Sequence, residues 1–357
     1  MKRLLPLLFI TLCLLTFAVP ASANDYDNPD TLVVARDGTG QFRNVGEAIE
    51  VCRAFMEYHK VIFVKRGIYK EKLVVPSWLT HIEILGEDPE TTIITYDDHA
   101  NIRIFPYPSE EETGSSPSGR SGGVPMGTFR TYTVKVQGNY ITFRNITIEN
   151  NAAKLGQAVA LHTEGDHLQF INCRFLGNQD TVYTGVANTR ILFLNCYIEG
   201  TTDFIFGPST AWFEQCTIHS KADSYITAAS TPADTPYGYI FNRCRLTAAE
   251  GITKVYLGRP WRPYAHTLFM NCHLGPHILP AGWHNWNNPD NERTARYGEY
   301  NNSGPGANTS TRVFWSRQLS KKEATAIIGK PNAVLGDLQS PSLDRVFNIQ
   351  DTWHVDF

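Results

Sequence analysis

Six short segments of the chain share one order of apolar and polar positions: FRNITI (143–148), FINCRF (170–175), FLNCYI (193–198), FEQCTI (213–218), FNRCRL (241–246) and FMNCHL (269–274). Each reads Phe, any residue, a polar residue, Cys or Ile, any residue, then an apolar one. The phenylalanines stand at 143, 170, 193, 213, 241 and 269, so the intervals run 27, 23, 20, 28 and 28 residues. Intervals that uneven exclude helical solenoids of fixed repeat length. They suit coils of short strands whose turns vary in length. In a strand, positions two apart share a face, so Cys173 with Phe175, Cys196 with Ile198 and Cys216 with Ile218 should point inward and stack. The pattern predicts an all-β chain wound as a right-handed parallel β-helix. Its cysteines read as small apolar core residues rather than metal ligands, for no CxxC spacing accompanies them. The polar positions Asn145, Asn172, Asn195 and Gln215 should stack at neighbouring turns. Cys196 and Cys216 close the shortest coil, and rungs ~4.8 Å apart fall within the usual Cα separation of a disulfide, roughly 4.4–6.8 Å.

Elements outside the repeat complete the coil. TLVVARDGTGQF (31–42) gives a strand and a Gly turn, and NVGEAIEVCRAF (44–55) has the apolar spacing of an amphipathic helix suited to capping the solenoid's open end. VIFVKRGIY, KLVVP and HIEILGE supply strands of the first coils. Residues 106–127, rich in Pro, Ser and Gly, form a long surface loop. After Leu274 come loops, one helix at Lys321–Ile328 and an irregular tail to Phe357. With no interdomain linker in sight, residues 24–357 form one domain whose core spans about 31–330.

Composition and the first residues narrow the setting. Lys2 and Arg3, an apolar run from Leu4 to Val19 and the small residues Ala21-Ser22-Ala23 are the three parts of a cleaved signal peptide, residues 1–23. The protein is therefore expected to be secreted or periplasmic, with no membrane anchor once cleaved. Its removal takes the formal charge from −3 to −5, and no basic run remains, which argues against a nucleic-acid partner.

The chemistry concentrates in CRFLGNQDTVYTG (173–185) and CYIEGTTDFIFG (196–207). With the cysteines aligned, Asp180 and Asp203 each fall seven residues on, and Tyr183 and Phe206 ten residues on. Stacked one rung apart (~4.8 Å), two carboxylates cannot comfortably both ionise, so their pKa values split into a nucleophile and a proton donor. Gln157 lies sixteen residues before Cys173, as Asp180 does before Cys196, which puts Gln157, Asp180 and Asp203 in one column. Gln179 adds a second amide donor for a developing oxyanion. From spacing alone, a ladder that merely satisfies turn backbones is an equal reading.

GNQDTVYTG, GTTDFIFG, YLGRPW (256–261), QAVAL (157–161), ARDGTGQFRNVGEAI, GIYKEKL, PAGW and YGEYNNSGPGA together resemble the signatures of the pectin methylesterases, carbohydrate esterases with a right-handed β-helix. The resemblance runs through nearly the whole mature chain in the family's order. It implies hydrolysis of pectin methyl esters to pectate and methanol, with Asp203 as nucleophile and Asp180 as general acid and then base. It further implies Gln157 and Gln179 as oxyanion donors, Arg259 as the cation that keeps Asp203 ionised, Trp261 as a sugar platform and Thr128 as a substrate contact. Tyr183 and Phe206 should line the same groove, and His162, where the family often has Arg or Tyr, should tune the rim. Asn178 and Thr202 depart from the family's Tyr and Val. TAAS (227–230), the short leader and the lack of an inhibitor-like pro-region suggest a bacterial type. No metal or cofactor is implied, and a monomer acting on polysaccharide is expected. The alternatives are a non-catalytic carbohydrate-binding β-helix and a pectin-depolymerising lyase or glycosidase on the same scaffold.

Overall fold

In the computed structural model, which describes residues 31–55, 59–104, 123–329 and 331–335, the phenylalanines of the repeat are direct partners on adjacent strands. Phe143, Phe170, Phe193, Phe213, Phe241 and Phe269 stack ring on ring with centroids 4.3–5.5 Å apart. The leader, loop residues 106–122 and the tail from 336 lie outside the described residues.

Among the described residues, strands form three long parallel sheets of eleven, eight and seven strands, and one antiparallel pair, Arg103–Ile104 with Val124–Pro125. A coil gives one strand to each sheet. Leu168–Ile171, Arg174–Leu176 and Val182–Thr184 are followed one rung on by Arg190–Leu194, Tyr197–Gly200 and Ile205–Gly207. The result is a right-handed parallel β-helix, the hand that parallel crossovers take.

The cysteine column forms as the pattern predicts. Cys173, Cys196, Cys216, Cys244 and Cys272 are buried free thiols. Each donates to a strand carbonyl of the rung before it: Phe143, Phe170, Phe193, Phe213 and Phe241, at 3.3–3.5 Å. Sulfurs stacked in this way stay in contact without bridging, and Cys216 Sγ accepts the Cys196 N–H at 3.4 Å. Burial pushes the Cys173 thiol well up, as befits inert core.

The polar position before each column residue is explained by backbone geometry. Asn145, Asn172, Asn195, Gln215, Arg243 and Asn271 all have φ between 52° and 54°. That left-handed conformation is one Asn adopts more readily than most residues. It turns the chain from the first sheet into the second.

The N-terminal helix is shorter than its apolar spacing suggests: Val45–Glu50, opened by an Asn44–Glu47 capping box. The chain then departs from helix and reaches Phe55 with φ 58° and its ring exposed. The helix at Lys321–Ile328 has the expected bounds and a Ser320–Glu323 capping box. With Pro331–Leu335 it covers the outer face of the first sheet around Leu192, Trp212, Ile240 and Met270. No helix among the described residues is long and apolar enough to cross a membrane.

Candidate active site

At the corner between the second and third sheets, Asp180 and Asp203 take the left-handed conformation, with φ 67° and 49°. Asp180 N–H donates to the Thr202 carbonyl at 3.1 Å and Asp203 N–H to Tyr225 at 2.8 Å, so the two turns repeat one rung apart. The strands that follow pair Val182 with Ile205 and Tyr183 with Phe206. Gly207 allows this closeness, for at φ 128° a Cβ there would meet the Thr184 carbonyl at 2.1 Å. Both aspartates are buried, 8 % and 6 % exposed.

Arg259 treats them unequally. Its Nε and Nη2 donate to the two oxygens of Asp203 at 2.9 and 2.6 Å, a two-pronged fork. The Tyr225 and Trp286 rings hold the guanidinium, their centroids 3.9 and 3.8 Å from its Cζ. Burial pushes both carboxyls upward, but the fork pulls Asp203 back. Asp180 is pushed well above its ordinary value by burial first and by the charge of Asp203 second, with only a distant offset from Arg259. Both carboxyls thus lie above their ordinary value, and Arg259 biases Asp203 to ionise before Asp180.

A cleft of about 240 Å³ opens over this pair, lined among others by Thr128, Gln157, Gln179, Phe206, Arg259 and Trp261. The column differs from the spacing by one residue. Ala158 N–H donates to the Gln179 carbonyl as Asp180 N–H does to Thr202, which sets Ala158 over Asp180 and Gln157 over Gln179. The difference arises in the next turn, where Thr163 to Leu168 is two residues shorter than Thr184 to Ile191, and a bulge, marked by Ala160 and Leu161 both donating to the Thr181 carbonyl, gives one residue back. Both amides still face the cleft.

Tyr183, expected in the groove, lies outside its lining, behind two rings that do line it: it stacks on Phe206 at 4.6 Å and tilts against Phe129 at 4.8 Å. Phe206 meets Trp261 edge-on at 5.8 Å. His162 lies outside the lining, 4 % exposed beneath the Tyr183 and Tyr132 rings, with its Nε2 3.1 Å from Glu164. Burial lowers its pKa to about 4. Asn178 donates to the Ala152 carbonyl at 3.0 Å, and Thr202 bonds Ser224 at 2.8 Å, so both departures hold backbone or neighbouring turns.

Trp286, Phe129 and Tyr225 are the site residues the sequence pattern did not reveal. Trp286 comes from AGWHNWNNPD, a loop with no strand period, where an aromatic among asparagines was the only signal. Its φ of 62° and its N–H bond to His284 Nδ1 at 3.0 Å swing the ring over Arg259. Among the described residues no cluster of three or more His, Cys, Asp or Glu is set to hold a metal ion.

Comparison with known proteins agrees with this geometry. The sequence model of the Pectinesterase family matches residues 31–109 and 111–330. Pectinesterase 31 of Arabidopsis thaliana is 38 % identical over 293 residues, covering 82 % of this chain and 88 % of its own. The pectin methylesterase from carrot superposes with a TM-score of 0.75 at 31 % identity, covering 90 % of this chain and 97 % of that one. A pectin methylesterase in complex with a hexasaccharide superposes with a TM-score of 0.70 at 26 % identity, covering 86 % and 97 %. The first two are plant enzymes, and the pectin methylesterase from Yersinia enterocolitica superposes with a TM-score of 0.67 at 28 % identity, covering 80 % of this chain and 96 % of that one, so the likeness runs to plant and bacterial members alike. On a match spanning nearly all of its described coil, the chain belongs to the pectinesterase family.

Proposed function

We propose that this cleft hydrolyses the methyl esters of pectin through an aspartyl acyl-enzyme on Asp203. A carboxylate oxygen of Asp203 adds to the ester carbonyl, and the oxyanion that forms is met by the amide groups of Gln157 and Gln179. As the carbon–methoxy bond breaks, Asp180 gives its proton to the departing methoxide and methanol leaves. Asp180, now ionised, takes a proton from water, whose oxygen attacks the acyl carbon. The bond to Asp203 breaks, the galacturonate carboxyl is released, and Asp180 is protonated again.

The observation that carries this reading is the unequal treatment of the two carboxylates by Arg259. A nucleophile must be ionised while its neighbour holds a proton, and the fork on Asp203 produces that difference. The aromatic lining of Phe206, Trp261 and Phe129 supports a polysaccharide ligand, since sugar C–H faces pack on rings. The relative held with a hexasaccharide supports the same substrate class. Residues 24–357 are proposed to act as one exported, monomeric domain once residues 1–23 are cleaved, without cofactor or nucleic-acid partner.

Methanol release from methyl-esterified pectin by the Asp203→Ala variant tests the assignment. Release should vanish while the melting profile remains that of a folded coil. A folded variant that still demethylates pectin would end the mechanism.

A further inference from the structure

The loop that brings Trp286 over Arg259 is set by one histidine. Gly258 pairs with Trp283 in a parallel bridge, and His284 N–H donates to the Gly258 carbonyl at 3.1 Å, so the chain enters the loop as an added rung beside the residue that precedes Arg259. It then turns off the sheet, and the Trp286 N–H closes the turn on Nδ1 of His284 at 3.0 Å. The same loop closes two further turns with asparagine: Asn285 Oδ1 accepts from Asn287 N–H at 2.9 Å and Asn288 Oδ1 from Asp290 N–H at 3.1 Å. Of these three turns, the one that seats the cleft-lining tryptophan is closed by an imidazole.

An asparagine oxygen accepts at any pH, whereas Nδ1 accepts only while it carries no proton. Accepting from Trp286 places the proton of the neutral ring on Nε2. The groups that face the ring are Tyr225 and Tyr256, with centroids 5.3 and 5.2 Å away, and the charge of Arg259. Within the same loop, the Glu292 carboxylate is taken up by the Asn285 amide at 2.8 Å. Burial and the Arg259 charge together hold the imidazole below its ordinary 6.5, so near neutral pH it is in the accepting form. His284 is thereby joined to both rings that grip the Arg259 guanidinium, by packing on Tyr225 and by the bond to Trp286.

We infer that His284 is a positioning residue for the cleft: its Nδ1 lone pair seats Trp286 on Arg259 and so keeps the fork on Asp203 aligned. A proton on Nδ1 sets one donor against another, and the seat opens in acid. The inference rests on the pectin methylesterase reading for the purpose of the fork, while the seat itself is a claim about one backbone N–H.

Two substitutions separate the lone pair from the ring. His284→Asn offers an oxygen to the same N–H and does not titrate, and His284→Leu fills the space without an acceptor. Amide hydrogen exchange followed by NMR reads the seat directly. At pH 7 the Trp286 amide should be protected in wild type and in His284→Asn. In His284→Leu it should exchange about tenfold faster or more, the scale of one lost hydrogen bond. On acidification its protection factor should fall in wild type and hold in His284→Asn. Methanol release should drop about tenfold in His284→Leu, with the acid limb moved to higher pH, and His284→Asn should restore most of it. In a Trp286→Ala background, His284→Leu should add no further loss. Full protection of the Trp286 amide in His284→Leu would overturn the seat. A loss by one factor at every pH would mark a merely structural residue and overturn the positioning role, as would His284→Asn being as impaired as His284→Leu. Failure of methanol release in the wild-type protein would instead sink the reaction reading, with the amide readout still standing.

Discussion

Two corners of the coil use one backbone conformation and end in opposite chemistry. At the corner between the first and second sheets, left-handed residues carry amides that satisfy one another: Asn172 donates to Asn145 at 2.8 Å, Asn195 to Asn172 at 3.3 Å and Asn301 to Asn271 at 2.9 Å. At the corner between the second and third sheets, the left-handed residues are Asp180 and Asp203. An amide can both donate and accept, so a column of amides closes on itself. Two ionised carboxylates can only accept, so the second column is left with a charge problem that Arg259 solves for one member alone. The fold tolerates a polar ladder at either corner. Reactivity arises where the ladder's members cannot satisfy each other.

Making the reactive corner resemble the structural one should have the largest effect. Asp180→Asn leaves an amide that can neither protonate methoxide nor take a proton from water, and kcat should fall toward the upper end of the ~10²–10⁴ range of acid–base catalysis. The same variant should be more stable at neutral pH. Asp180 is pushed well above its ordinary 3.8 by burial and by Asp203. A carboxyl so raised in the folded state destabilises the fold as pH climbs from 3.8 through the folded value, because the ionised form is the one penalised. Thermal melts should therefore show the variant above wild type at pH 7, with the gap closing as pH falls below 3.8. For wild type, methanol release should decline on the alkaline side as Asp180 loses its proton. A variant no more stable than wild type at pH 7 would mean that Asp180 bears no burial cost.

The glutamines should matter next. Gln157→Ala and Gln179→Ala should each lower kcat by about 10²–10³, the loss typical of one oxyanion donor. KM should change little, because the amides act on charge that appears only in the transition state. A loss confined to KM would make them substrate contacts.

Arg259→Lys should be milder. The charge survives, but a lysine lacks the planar fork that meets both Asp203 oxygens and the flat face held by Tyr225 and Trp286. A loss of roughly tenfold, about 1.4 kcal/mol, is expected, with the acid limb of the rate profile moving to higher pH as Asp203 becomes harder to ionise. An unmoved limb would show that the fork positions Asp203 without tuning it.

Much of this was legible in the sequence because the coil repeats its local rules. The Phe and Cys positions sit on strands with period two, so the registers of Phe170 with Phe193 and Tyr183 with Phe206 follow from counting. Counting failed where a turn broke the period. The turn from Thr163 to Leu168 is two residues shorter than its successor and the bulge at Ala160 and Leu161 restores one, so Gln157 lands one place off, and nothing in QAVAL marks the bulge. Trp286 escaped because its partner Arg259 is reached only by folding a loop across the third sheet, and Tyr225 because it meets Arg259 from the paired strand Tyr225–Ala229, which lies outside the repeated segments. His162 was placed at the rim by its position after QAVAL, yet strand pairing with Lys135 and Tyr183 sets it under their side chains. Local period predicts the scaffold, and long-range closure decides which rings reach the site.

The smallest effect is expected at the structural corner, and it tests whether the corners are independent. Asn172 sits at φ 52° and links Asn145 to Asn195 through its side-chain amide. Asn172→Ala removes both bonds, which are partly open to water, and places an alanine where Cβ is crowded. About 1–2 kcal/mol should be lost. Asn172→Gly removes the same bonds without the crowding, so the difference between the two variants in urea midpoint isolates the backbone share. Asn172→Asp could accept from Asn195 but, once ionised, could not donate to Asn145, so its penalty should appear only above the carboxyl's pKa. In all three variants methanol release should equal wild type, because the amide column and the aspartate pair lie at opposite ends of the short second-sheet strand Arg174–Leu176. A matching loss of activity would mean that strand transmits the turn's geometry to Asp180, and the two corners would have to be treated as one device.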